Sequence, residues 1–174
     1  MYEEILEITK PIRHTGDENA LTQFPPSYQQ FAKELGYGLL CGLFIVYIPF
    51  PAPHDKHPDS FPVARKRLRS FLDAYFDIDL EILKDEKTYA LLQRAEPFAK
   101  SENGEFLFWD KDHPNADGEW PIYLANFPVS ITHVANSLPE LISKLTNAAT
   151  IQSVMQFTRS PLQATFSPYD AIRY

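Results

Sequence analysis

The side chains best suited to chemistry lie in two polar stretches. His54-Asp55-Lys56-His57-Pro58-Asp59 puts two imidazoles and two carboxylates within one short segment, a donor set that zinc accepts. Pro58 and the lack of a further ligand pair at a familiar spacing favour a solvated loop. The second stretch, Asp110 to Glu119, is rich in acidic groups. An EF-hand loop needs oxygen ligands at alternate positions and glycine at the sixth. Pro114 and the late Gly118 break that register, so the stretch reads as a polar connection between strands. Beside Trp109 and Trp120 it also reads as an acidic contact surface, because aromatic side chains anchor interfaces and charges select partners.

Other patterns point away from catalysis. Gly36-Tyr37-Gly38 lacks a third glycine and precedes a strand, which excludes a dinucleotide fingerprint. There is no Gly-x-Ser-x-Gly elbow and no phosphate-binding P-loop. Cys41 stands in an apolar run, where a thiol behaves as a small inert hydrophobe. His133 reads as a strand residue rather than a general base, and Arg65, Lys66, Arg67 and Arg69 as a solvated helix face.

The elements that must position these groups follow from periodicity. Tyr2 to Ile8 reads as a short amphipathic helix ended by Pro11. Phe24-Pro25-Pro26-Ser27 opens a helix whose apolar face is Tyr28, Phe31, Ala32 and Leu35, and Gly36 closes it. The apolar run Leu39 to Ile48 predicts a buried strand centred on Leu43 to Ile48. After a proline-rich loop over 49–62, a second helix carries Phe61, Ala64, Leu68, Phe71, Leu72 and Tyr75. Phe76 to Ile82 alternates as a strand does, with a helical continuation as the alternative, and Asp85 to Arg94 reads as a third helix. Strands follow at Pro97 to Lys100 and Glu105 to Trp109, joined by a turn containing Asn103-Gly104. Two more are expected at Pro121 to Leu124 and Val129 to Val134. Asn136 or Ser137 caps a last helix through Leu145. In the tail, Ile151, Val154, Met155 and Phe157 suggest continuation or docking, interrupted by Pro161 and Pro168.

Composition narrows the function classes. A chain of 174 residues with 44% hydrophobic and 14% aromatic residues supports one sizeable core. The net charge of -7 opposes direct nucleic-acid binding, which depends on neutralising phosphates, and suits a basic protein partner. A lone cysteine neither needs nor suggests an oxidising compartment, and the acidic N-terminus is unlike a secretory signal. The Leu39 to Ile48 run is roughly half the length of a membrane helix. The expected location is the cytoplasm, with no membrane association.

In this order the features resemble the SUKH superfamily, which includes bacterial toxin-immunity proteins and the fungal cell-wall-assembly regulator. The resemblance rests on the Pro-Pro-Ser-Tyr helix start, Gly36-Tyr37-Gly38, Pro97-Phe98-Ala99, Asn103-Gly104-Glu105 and Leu107-Phe108-Trp109-Asp110. It continues through Pro121-Ile122-Tyr123, Ile131-Thr132-His133-Val134-Ala135 and Ser137-Leu138-Pro139-Glu140-Leu141-Ile142. It implies a single α+β domain over 1–174, with a mixed or antiparallel sheet and helices packed mainly on one side. Its core spans about 24–146, preceded by an N-terminal helix and linker over 1–23 and followed by an extension over 147–174. It implies an immunity protein that neutralises a cognate toxin, in some cases a nuclease, or a regulatory adaptor of the fungal type. No catalytic residue, metal or cofactor is expected. The expected partner-binding residues are Trp109, Asp110, Asp112, Asp117, Glu119 and Trp120. Replacing the four acidic members with serine is expected to slow association with a basic partner and flatten its salt dependence, as stopped-flow kinetics would show.

Overall fold

The computed structural model describes residues 1–126, 130–156 and 158–171. Among these residues eight strands form one sheet: β1 (Glu7–Ile8), β2 (Gly38–Leu40), β3 (Phe44–Val46), β4 (Ala95–Ser101), β5 (Phe106–Asp110), β6 (Ile122–Asn126), β7 (Ser130–Ala135) and β8 (Thr165–Pro168). Their order is β1-β8-β2-β3-β4-β5-β6-β7. Among the described residues only β1 and β8 run parallel; the other neighbours are antiparallel. The helices among the described residues are α1 (Glu18–Leu21), α2 (Pro26–Glu34), α3 (Phe61–Asp73), α4 (Glu86–Arg94), α5 (Leu138–Leu145) and α6 (Ile151–Val154). This is the α+β single domain with a mixed sheet that the sequence predicts. Among the described residues no helix is long and apolar enough to cross a membrane.

Helix α2 starts as its prolines dictate, with Pro26 in the first turn, and buries Tyr28, Phe31 and Ala32. Gly36 then takes φ +77°, and a Cβ there would stand 1.8 Å from the His14 backbone oxygen. Only glycine fits, because both the backbone angle and the space exclude a side chain. The apolar run from Leu39 is not one strand but a hairpin. Cys41 and Gly42, both with positive φ, are the centre of a turn closed by the Leu43 amide donating to the Leu40 carbonyl, and the chain folds back over Cys41 to Leu43 so that Leu40 faces Phe44. Gly38 therefore begins β2 instead of ending a turn. Burial raises the Cys41 thiol pKa to about 12, in keeping with an inert core position.

The centre of the molecule is aromatic. The Trp109 ring stacks on Phe98 at 4.0 Å and meets Tyr28 edge-on at 4.8 Å. The fully buried Tyr28 hydroxyl donates to the Tyr47 carbonyl at 2.5 Å. All five residues of β5 are buried, so both faces of the sheet are covered at its centre.

Three expectations are corrected. Tyr2 to Ile8 is not a helix; a 3-10 turn over Tyr2–Glu4 leads into β1. Here the Glu7 and Thr9 amides donate to the Ala164 and Phe166 carbonyls, so a strand at the far end of the chain captures the segment. That strand, β8, was hidden by Pro161 and Pro168, yet it lies between β1 and β2 with Phe166 fully buried. Phe76 to Ile82 forms no strand. Its two ends lie in 3-10 turns over Ala74–Asp77 and Glu81–Lys84, the first following directly on α3, so the helical alternative holds in part. The strands that flank this segment in the chain, β3 and β4, pair directly with each other, so no strand is inserted between them. Val129 and Phe157, included in two of the expected elements, lie outside the described residues.

Two glycines with positive φ separate strain from space. Gly36→Ala is expected to lower stability by more than about 3 kcal/mol. Gly104→Ala, where a Cβ meets nothing within 4 Å, should cost about 1 kcal/mol of backbone strain. Urea denaturation of both variants checks this, and equal midpoints would refute the steric account.

Candidate protein-binding surface

The connection between β5 and β6 is held at both ends. At its start Asp110, 3% exposed, accepts two hydrogen bonds from Arg94 at the end of α4, at 2.8 and 2.9 Å, and a contact from His113 Nδ1 at 2.9 Å. Burial alone would raise the Asp110 pKa, but the hydrogen bonds and charges of Arg94 and His113 outweigh it and hold the carboxyl below its usual range. In the middle, the Asn115 side-chain oxygen accepts from the Asp117 and Glu119 amides at 2.9 and 3.0 Å. At its end the Glu119 carboxylate caps α2, accepting the Ser27 amide at 2.7 Å and the Ser27 hydroxyl at 2.6 Å. The Ser27 hydroxyl oxygen accepts the Leu138 amide at the start of α5, and its carbonyl accepts the Tyr2 hydroxyl. One serine thus joins both helix starts, the loop and the N-terminus.

The six residues singled out in the sequence therefore divide. Trp109 and Asp110 lie in the interior, not on the surface forecast for them, because β5 runs through the middle of the sheet. Glu119 is half-buried and committed to Ser27. Trp120 is half-buried, 5.6 Å from the Trp109 ring. Asp112 and Asp117 are exposed. Residues that sequence reasoning passed over hold the region together: Ser27, Arg94, and the buried Glu96, whose two carboxylate oxygens accept from Arg65 Nε and Nη2. A signal for Ser27 lay in its place just after two prolines, where helix-start amides need an acceptor.

Trp120, Phe24 and Phe61 also line a groove of about 360 Å³ whose rim carries Arg65, Lys66 and Lys111. The arginines expected to form a solvated face are engaged instead. Arg67 reaches the Pro58 carbonyl and Asp59, while Arg69 bonds Asp73 and the carbonyls of Leu92 and Ala95. A larger groove, about 600 Å³, has the carboxylates Asp59 and Asp170 in its wall, paired with Arg67 at 3.4 Å and His14 at 3.3 Å. The His57 Nδ1 accepts the Asp59 amide at 3.1 Å, and its ring lies 5.9 Å from Phe50. Among the described residues, no cluster of three or more His, Cys, Asp or Glu side chains could hold a metal ion, and no buried side-chain nitrogen or oxygen lacks a hydrogen-bond partner. The buried charges act as ties between elements.

A model for a SUKH family, described as SMI1-KNR4 cell-wall, matches residues 18–142. The match runs from the start of α1 into α5 and takes in β2 to β7, leaving out the terminal strands β1 and β8. No match was found among curated proteins or solved structures.

The Asp110 tie predicts a pH-dependent difference. Asp110→Asn is expected to cost about 3 kcal/mol at neutral pH. Since the folded pKa lies below the ordinary 3.8, that contribution is complete above the ordinary value and is lost as pH falls through the folded one. Asp112→Ser and Asp117→Ser should stay within about 0.5 kcal/mol of the parent. Denaturant midpoints measured from pH 7 down to pH 2 test both: the Asp110→Asn gap should hold down to about pH 4 and shrink below it, and a gap that stays constant to pH 2 would reject the ion-pair account.

Proposed function

Because the chain belongs to the SUKH superfamily, through its SMI1-KNR4 family, we propose that it acts by binding another protein. The observation that carries this reading is the family match over residues 18–142. In the form we favour, the protein is a cytoplasmic immunity protein that neutralises a cognate toxin by forming a complex with it. The net charge of -7 favours a basic partner such as a nuclease, since opposite fields speed encounter. The fixed pairing of Asp110 with Arg94 and of Glu96 with Arg65 also supports a binding role, because acids tied into ion pairs are poorly placed to move protons. Occluding a toxin demands no chemistry from the binder, only a stable surface of the right shape and charge.

A second reading is a regulatory adaptor. The description of the matching family as SMI1-KNR4 cell-wall favours it. Partner identity separates the two: a toxin encoded beside this gene supports immunity, and a signalling or cell-wall protein supports the adaptor.

Co-expression with a toxin encoded next to the gene tests the immunity reading. The expected outcome is restored growth and a complex that survives gel filtration. A toxin that stays lethal, with both proteins eluting separately, would reject it for that pair.

A further inference from the structure

We propose that the surface formed by residues 71–89, between β3 and β4, docks a basic protein face that also presents apolar side chains. The inference rests on the protein-binding reading above and assigns it a place. The motivating fact is an imbalance. Residues 73–91 contain eight large apolar side chains, and not one residue of the stretch is buried. The buried positions Leu72 and Leu92 bracket it. Of the five large apolar side chains exposed among the described residues, two are here, Ile78 at 55% and Tyr89 at 40%, and a third, Phe71 at 50%, lies just before Leu72 in the last turn of α3. The Phe76 ring meets Tyr89 edge-on at 4.9 Å, which joins the end of α3 to α4 in one patch, and Ile78 follows Phe76 by two residues. Folding gains little from apolar groups left in water, and contiguous ones rimmed by charge mark contact sites.

Charge selects the occupant. The stretch carries Asp73, Asp77, Asp79, Glu81, Asp85 and Glu86 against Lys84 and Lys87, a net -4 of the chain's -7. A second copy would set two such faces against each other, and a nucleic acid would add phosphates to carboxylates; both are repelled. The grooves described above are lined by other residues, so the patch suits a broad partner rather than a small molecule. A basic face with apolar anchors satisfies both halves of it: the carboxylates steer the approach, and Phe71, Ile78 and Tyr89 supply area to bury.

The full chain, labelled with ¹⁵N, should be titrated with a synthetic amphipathic helix of leucines and lysines. Amide shifts confined to residues 71–91 are expected. The double variant Ile78→Ser/Tyr89→Ser, at exposed positions that leave the core intact, should weaken binding about tenfold while keeping its salt dependence. The triple variant Asp77→Asn/Asp79→Asn/Glu81→Gln should flatten the salt dependence. Shifts mapping instead to the 110–119 loop, unchanged affinity in both variants, or self-association of the parent abolished by the double variant would each overturn the proposal. The same variants in the toxin co-expression assay separate the two claims. Protection that persists in both variants removes this surface but leaves immunity standing. No protection by the parent, with the helix still mapping to 71–91, removes immunity and leaves the surface.

Discussion

The fold turns on the burial of one indole. Trp109 is 1% exposed and stands where α2, the bulge of β4 and the start of α3 converge, with Tyr28, Phe98 and Phe61 around it. An aromatic side chain removed from water at this depth hides on the order of 200 Å², worth about 5 kcal/mol before the entropy of ordering is set against it. The register shift between Pro97 and Ala99 lets Phe98 lie flat on that ring. Tyr28 fixes the geometry further, because its hydroxyl is buried and must find an acceptor, and the Tyr47 carbonyl is that acceptor. Helix α2, β4, β5 and the end of the β2–β3 hairpin are thus locked to one another around a single apolar centre.

The polar ties around that centre explain how the charged residues are used. Glu119, Asp110 and Glu96 each spend their acceptor capacity on another element: Ser27 of α2, Arg94 of α4 and Arg65 of α3. A buried carboxylate needs such a partner to remain charged. The negative charge left facing solvent is consequently unevenly spread, and much of it collects on the segment joining α3 to α4. In that segment Phe76 and Leu83 pack only partly against the core, and Ile78 stays exposed. Stability and recognition thereby occupy different parts of the chain, the first around Trp109 and the second, by the argument from charge and exposure, between β3 and β4.

Local chemistry made much of the fold legible in advance. The prolines before Ser27, the glycine at 36, the Asn103-Gly104 turn and the Ser137 cap each act through the backbone within a few residues, so their effects are written where they occur. The same holds for the helix stripe Phe61, Ala64, Leu68 and Leu72, and for the short apolar runs bounded by turn residues that form β4, β5 and β6. Cys41 misled because a turn built on a non-glycine residue with positive φ carries no strong compositional mark.

The amino-acid sequence by itself determined the fold class, the order of the central elements and the family they spell. Tertiary structure decided what depends on residues far apart along the chain. It paired β1 with β8 across more than 150 residues and left Phe76 to Ile82 outside the sheet. It also sorted acidic residues that look alike in sequence, drawing Asp110 inward to Arg94 and leaving Asp112 in solvent. The physical reason is that a local pattern records what a residue prefers, whereas burial and ion pairing depend on which partner the folded chain delivers to it.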